Sequence, residues 1–141
     1  IALYKWNDAY IYDEVLYKKA MLNRDISRFL ESHDIKELIV ADSAEPKSIA
    51  ELQGYGHNIH GVSKGRDSIV YGINLMNQNE IYVTSRSKNL KRELGGYIWA
   101  TDKEGNKTQK PSGLHPDCID AARYILTDTL ENPNKGKYFI Y

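Results

Sequence analysis

The stretch Glu37-Leu38-Ile39-Val40-Ala41-Asp42 decides the reading of this chain. Its apolar run, bounded by charged residues, has the length and composition of a strand buried on both faces. The strand ends on a carboxylate, and Pro46 just beyond suits the first turn of a helix through Leu52. On the N-terminal side, Ile1 to Lys19 is rich in Tyr, Ile, Val and Trp and is broken by Asn7-Asp8, which predicts two strands joined by a tight turn. Asn23 suits the cap of a helix over Arg24–His33, with Ile26, Phe29 and Leu30 on one face. On the C-terminal side, His57–Val62 reads as a strand. A helix capped by Asp67 or Ser68 follows, then a strand at Glu80–Thr84 and a basic helix at Lys88–Leu94, stopped by Gly95-Gly96. Tyr97–Ala100 and Lys107–Lys110 flank the turn Asp102–Asn106 as a hairpin. Pro111, Ser112 and Gly113 break the pattern, and Asp117 to Leu130 reads as the last helix, before a loop-like, aromatic-ended tail. Hairpin strands followed by alternating strands and helices predict an α/β sandwich with a mixed sheet flanked by helices.

Composition bounds the function. The chain has 141 residues, 41% hydrophobic and 27% charged, the mixture of one globular domain rather than a disordered polymer. Nineteen Lys+Arg balance nineteen Asp+Glu, which excludes a polybasic mode of nucleic-acid binding. One cysteine, Cys118, excludes an internal disulfide framework and fits a reducing compartment. No apolar run approaches the roughly 20 residues that span a bilayer, so no membrane partner is expected. The opening Ile-Ala-Leu-Tyr-Lys-Trp is neither a signal peptide nor an initiator Met and reads as a cut end, so the chain is expected to be a single domain, 1–141, of a larger protein. Charge is uneven within the zero balance. Residues 1–60 hold seven Lys+Arg against ten Asp+Glu, and residues 84–110 hold seven against three. An acidic half with a basic segment suits a metal-dependent enzyme acting on a polyanion, although a mixed solvated surface has the same look.

Two carboxylates stand out. Asp42 lies at the C-terminal end of a strand, where α/β sites form, and its charge beside an apolar run calls for a partner such as a divalent cation, or for service as a turn cap. Asp120 shares one helix face with Asp117 and Tyr124, so the two carboxylates either hold a metal or favour the helix N-terminus through its dipole. Other patterns fail. Gly56 and Gly61 have P-loop spacing, but Val62-Ser63 follows where Lys and Ser/Thr are required, so no ATP site is expected. His57 and His60 do not sit on a helix, and one cysteine completes no zinc set. Cys118 with His115 is a nominal nucleophile–base pair, but the thiol is on the apolar helix face and reads as core.

Four motifs in order carry a resemblance: Val40-Ala-Asp-Ser-Ala-Glu-Pro46, Lys64-Gly-x-Asp-Ser-Ile69, Tyr97-x-Trp99 with Asp102-Lys-x-Gly-Asn106, and Asp117-x-x-Asp120-Ala-x-Arg-Tyr124. Together, over about residues 1 to 128, the chain resembles the nuclease domain of the terminase large subunit of tailed bacteriophages. The resemblance implies a ribonuclease H-like fold with an added β-hairpin. It also implies a metal-dependent endonuclease that cuts concatemeric viral DNA into genome lengths during capsid packaging. The family's acidic cluster maps onto Asp42 and Asp120, with Asp117 where the family often has His. Its first-strand Asp has no match, because Asp8 falls in a turn and Asp13 in the next strand, so the first strand reads as missing from the chain.

Two cations, Mg²⁺ or Mn²⁺, would stabilise the attacking and leaving oxygens of phosphodiester hydrolysis and take hard ligands from Asp42 and Asp120. Lys64, Arg86, Lys88 and Arg92 would hold phosphates without reading sequence, and Lys103, Lys107 and Lys110 make the hairpin basic. The implied partners are double-stranded DNA, the terminase ATPase domain (absent from this chain), the small subunit and the capsid portal, in the cytoplasm of the infected bacterial host. Two rivals share the fold: a non-catalytic DNA- or portal-docking module, and a resolvase-like nuclease.

Overall fold

The computed structural model describes residues 1–65, 68–97, 99–111 and 116–132. In chain order the elements are β1 (Ala2–Trp6), β2 (Ala9–Asp13), α1 (Asn23–Ser32), β3 (Ile39–Ala41), α2 (Pro46–Gly54), β4 (Ile59–Gly61), α3 (Ser68–Gln78), β5 (Ile81–Val83), α4 (Lys88–Gly96), β6 (Trp99–Thr101), β7 (Lys107–Pro111) and α5 (Asp117–Glu131). They form two compact units, Ile1–Tyr17 with Arg66–Arg123, and Lys18–Gly65 with Tyr124–Tyr141.

The first unit is built on the expected hairpin. Asn7 takes φ 54°, a left-handed conformation that asparagine tolerates, and turns β1 back onto β2 with Trp6 opposite Ala9. β5 then adds to β2 in parallel, giving the mixed order β1-β2-β5. Alternation sorts the tyrosines. Tyr10 and Tyr12 point to one buried face, whereas Tyr4 and Tyr82 lie in one cross-strand row with Ile11 and are exposed with Trp6 on the other. Tyr12 is fully buried and its hydroxyl donates to the Ala122 carbonyl at 2.9 Å, tying the sheet to α5. Burial pushes its phenol well above the usual range. Leu90, Ile119, Cys118 and Ile73 are also buried in this core, and burial raises the Cys118 thiol to about 12, in keeping with a core thiol. His115, its nominal base, lies outside the described residues, as do Asp67, Ser112, Gly113 and the aromatic tail.

Distant carboxylates secure the helix starts in this unit. Glu14 accepts hydrogen bonds from the Leu90 amide (2.9 Å) and the Asn89 side chain (2.6 Å) at the head of α4. Asp13, at the end of β2, accepts from Thr84 Oγ1 (2.7 Å) and from both Nε and Nη2 of Arg86. The Arg86 guanidinium, with help from Thr84, holds the Asp13 carboxyl below the usual carboxylate range, against the effect of burial. A carboxyl depressed in the fold stabilises it above the unfolded pKa of about 4 and loses that contribution as pH falls through the lower folded pKa. Asp13→Asn keeps an acceptor for Thr84 but removes the charge. The advantage of wild type over Asp13→Asn in thermal midpoint is therefore expected to be full at pH 7 and to shrink progressively below about pH 4. Parallel melting curves across that range, with a constant difference, would refute it.

In the second unit β3 and β4 pair in parallel, Ile39 opposite Ile59. β3 departs from the expectation of a strand buried on both faces, since Ile39, Val40 and Ala41 are all half-buried. Among the described residues it is hydrogen-bonded to β4 alone, so one edge lacks the flanking strand that two-sided burial requires. Pro46 opens α2 as its composition predicts. Asn23 does not cap α1. It is the first residue of the helix, and its side chain donates instead to Glu51 of α2 at 2.7 Å. Among the described residues Leu52, Ile59, Val62, Tyr124 and Leu126 are the buried hydrophobic side chains of this unit. Among the smaller departures, Gly95-Gly96 make the last turn of α4 rather than follow it, and Pro111 ends β7. The β6–β7 hairpin turns through Gly105 at φ 85°, and Asp102 accepts from the amides of Glu104 and Asn106.

Candidate active site

The second unit holds Asp42, one residue past the end of β3. One carboxylate oxygen, Oδ1, accepts from the Ala44 amide at 2.8 Å, so Asp42 does cap the following turn. The same oxygen receives Lys64 Nζ at 2.5 Å, and Oδ2 faces the Tyr124 hydroxyl at 3.4 Å. Lys64 Nζ also lies 5.2 Å from the centre of the Tyr124 ring, within cation–π range. Lys64 beside Asp42, then the Ala44 amide, hold the carboxyl below its usual range, and the carboxylate in turn raises the Lys64 ammonium. The Asp42 side chain remains 43% exposed and Lys64 37%, so this is an open pair rather than a buried one. The turn is fixed by close packing: a Cβ on Gly61 of β4 would stand 3.2 Å from both Cα and Cβ of Ser43. Gly61 therefore lets β4 pass beside the segment that presents Asp42. Nearby histidines have structural partners, His60 with Asp128 at 2.9 Å and His57 with Ser27 at 2.7 Å.

The first unit holds the start of α5. Glu93 Oε2 accepts from the amides of Cys118 (2.8 Å) and Ile119 (3.0 Å), placing a negative charge on the helix N-terminus, where the backbone dipole favours it. Asp120 accepts from Arg123 Nη2 at 2.9 Å, and Arg123 Nη1 reaches the Ser68 carbonyl at 3.2 Å. The Arg123 side chain is only 5% exposed, against 37% for Asp120. A buried guanidinium thus orients a half-exposed carboxylate. Asp117, also in the first turn of α5, is exposed.

The basic residues of this unit differ in their commitments. Arg86 is bound to Asp13, Arg92 donates to the Asn89 side chain at 2.8 Å, and Lys88 opens α4 in an exposed position. Lys103 lies in the exposed hairpin turn and Lys107 opens β7. Sequence reasoning did not find Glu93, Arg123, or Tyr124 as a partner of Asp42. Arg123 and Tyr124 carried local signals, three and four residues beyond Asp120 on the same helix, whereas Glu93 carried none.

Among the described residues no group of three or more His, Cys, Asp and Glu side chains gathers as a ready metal cage. Within each unit, taken by itself, the donor chemistry of the carboxylate nevertheless fits a hard divalent cation. Asp42 and Asp120 offer half-exposed carboxylate oxygens, and each is already balanced by a positive side chain.

Residues 1–128 match the sequence profile of a family described as the terminase RNase H-like domain. The chain belongs to that family. It is 32% identical over 124 residues to the terminase large subunit of Bacillus phage SPP1, an alignment covering 85% of this chain and 29% of that protein. It is likewise 32% identical over 120 residues to the PBSX phage terminase large subunit of Bacillus subtilis (strain 168), covering 84% and 28%. The terminase domain thus spans under a third of the length of these relatives. Its fold superposes on the crystal structure of the large-terminase nuclease domain of bacteriophage SPP1 with bound Mn, at TM-score 0.74 and 27% identity, over 83% of this chain and 69% of that one. The large terminase of a thermophilic bacteriophage shares the fold at TM-score 0.62 and 22% identity, over 91% and 35%. The ribonuclease H-like α/β architecture expected from the sequence is therefore found. Among the described residues no helix is long and apolar enough to cross a membrane.

Proposed function

We propose that this terminase domain is a divalent-metal-dependent endonuclease that cuts concatemeric phage DNA into genome lengths during packaging. The observation that carries the reading is Asp42. It sits half-exposed at a strand end, tethered by a turn amide and balanced by a cation, in a fold matching a terminase nuclease domain crystallised with Mn.

Asp42 and Asp120 are the proposed ligands and catalytic residues, with Asp117 a further donor, for two cations of Mg²⁺ or Mn²⁺. Held by these carboxylates, such cations would supply an activated water and charge stabilisation at the leaving oxygen. The chain's own residues do the rest. The Ala44 amide and Tyr124 hydroxyl orient Asp42, and Arg123 orients Asp120. Lys64, Lys88, Arg92, Lys103 and Lys107 neutralise phosphates, with Arg86 contributing from its pair with Asp13. Contacts to phosphate carry no sequence information, as suits an enzyme whose cut is timed by packaging rather than by a recognition site. The proposed partners are double-stranded DNA, an ATPase domain of the same subunit, a small subunit and the capsid portal, in the host cytoplasm.

A non-catalytic docking module is the second reading, favoured by the ion pairs that already occupy both carboxylates. Supercoiled plasmid incubated with the full-length protein separates the two. Nicking that requires Mn²⁺ or Mg²⁺, stops with chelator and scatters over the plasmid is the expected result. DNA retention without nicking at any cation concentration would establish the docking module instead.

A further inference from the structure

We infer that Lys64 is a tethered competitor for the cation at Asp42, released onto a DNA phosphate when the cation enters, so that metal and DNA each promote binding of the other. This rests on the reading of Asp42 as a metal ligand. The Lys64 ammonium is 2.5 Å from Asp42 Oδ1, the oxygen that also takes the Ala44 amide. An ammonium and a dication cannot share that oxygen without like-charge repulsion, so one displaces the other.

The structure gives Lys64 the means to leave. It lies in the exposed segment Ser63–Gly65 beyond β4, and its ammonium has a four-carbon flexible stem. Its second neighbour, the Tyr124 ring, offers a surface on which a displaced cation is still favoured. A DNA phosphate is the partner that then replaces the lost carboxylate charge. Exposed ion pairs are weak, worth up to ~1 kcal/mol, which bounds the competition at about fivefold in affinity. Linkage makes the effect reciprocal: whatever factor DNA gives the cation, the cation gives DNA.

The test is Mn²⁺ binding to the full-length protein, read from the electron paramagnetic resonance of free Mn²⁺, with and without a short DNA duplex and with the duplex alone as blank. Wild type is expected to bind Mn²⁺ about fivefold more tightly with DNA present. Lys64→Met keeps the apolar stem and removes the charge. It is expected to bind about fivefold more tightly without DNA, and to lose the response to DNA to within about twofold. Lys64→Arg, whose fork grips a carboxylate in two places, is expected to bind Mn²⁺ more weakly than wild type.

Lys64→Met binding Mn²⁺ no more tightly than wild type, or keeping the full DNA response, overturns the inference. Asp42→Asn distinguishes that failure from a deeper one. If it removes the site while Lys64→Met changes nothing, only the competition falls. If Mn²⁺ binding survives Asp42→Asn unchanged, Asp42 is not a ligand and both readings fall.

Discussion

Asp42→Asn and Asp120→Asn, each made in the full-length protein, are expected to abolish Mn²⁺-dependent nicking of supercoiled plasmid, by more than ~100-fold, while the folded state survives. Groups that merely orient metal ligands cost about 10- to 100-fold when removed, so a ligand itself must cost more. Asparagine is the informative replacement at both positions. At Asp42 it keeps an oxygen for the Ala44 amide, so the turn after β3 remains capped, and it gives up only an exposed ion pair with Lys64. At Asp120 it keeps an acceptor for the buried Arg123, which alanine would leave without that partner. Loss of nicking with an unchanged melting profile identifies the carboxylates as chemical rather than structural. Cutting at the wild-type rate by either variant removes that residue from the site.

The parts of this molecule that are legible in its sequence are those with local causes. Asn7 predicts the first hairpin because asparagine accepts a left-handed turn, and Pro46 predicts the start of α2 because its fixed φ suits a first helical turn. α5 follows from helical periodicity, and its bounds differ from the reading by one residue. The half-burial of β3 is not legible, because an apolar run reports on composition and not on how many neighbours a strand acquires. At the candidate site, the carboxylates are visible as residue types at element ends, but their companions are not. Tyr124 meets Asp42 across 82 positions, and Arg86 meets Asp13 across 73. Neither pairing has a period or a spacing, since both are made by the fold. Glu93 enters the reading only as one acidic residue in a basic segment, yet it holds the first turn of the helix that bears Asp120.

Arg123 is where the structural and functional demands on that helix meet, and its removal is expected to cost both. Arg123→Ala should lower stability by about 2–4 kcal/mol, roughly 10 °C in thermal midpoint for a domain of this size, and reduce nicking about 10- to 100-fold. The stability loss has two sources. Truncation empties a buried volume, and it leaves the Ser68 carbonyl and the Asp120 carboxylate without the donors now 3.2 and 2.9 Å away. The activity loss comes from Asp120 alone, which remains chemically intact but is no longer held in one orientation. Two further variants separate these contributions. Arg123→Met refills much of the volume without a donor, so it should recover part of the stability and none of the nicking. Arg123→Lys restores a positive charge, but a single ammonium does not reproduce the planar fork that spans Ser68 and Asp120, so it should recover activity only in part. Denaturation midpoints and plasmid nicking rates on the same preparations provide both readouts. Full activity in Arg123→Met would show that Arg123 fills space and that Asp120 needs no guanidinium to be positioned.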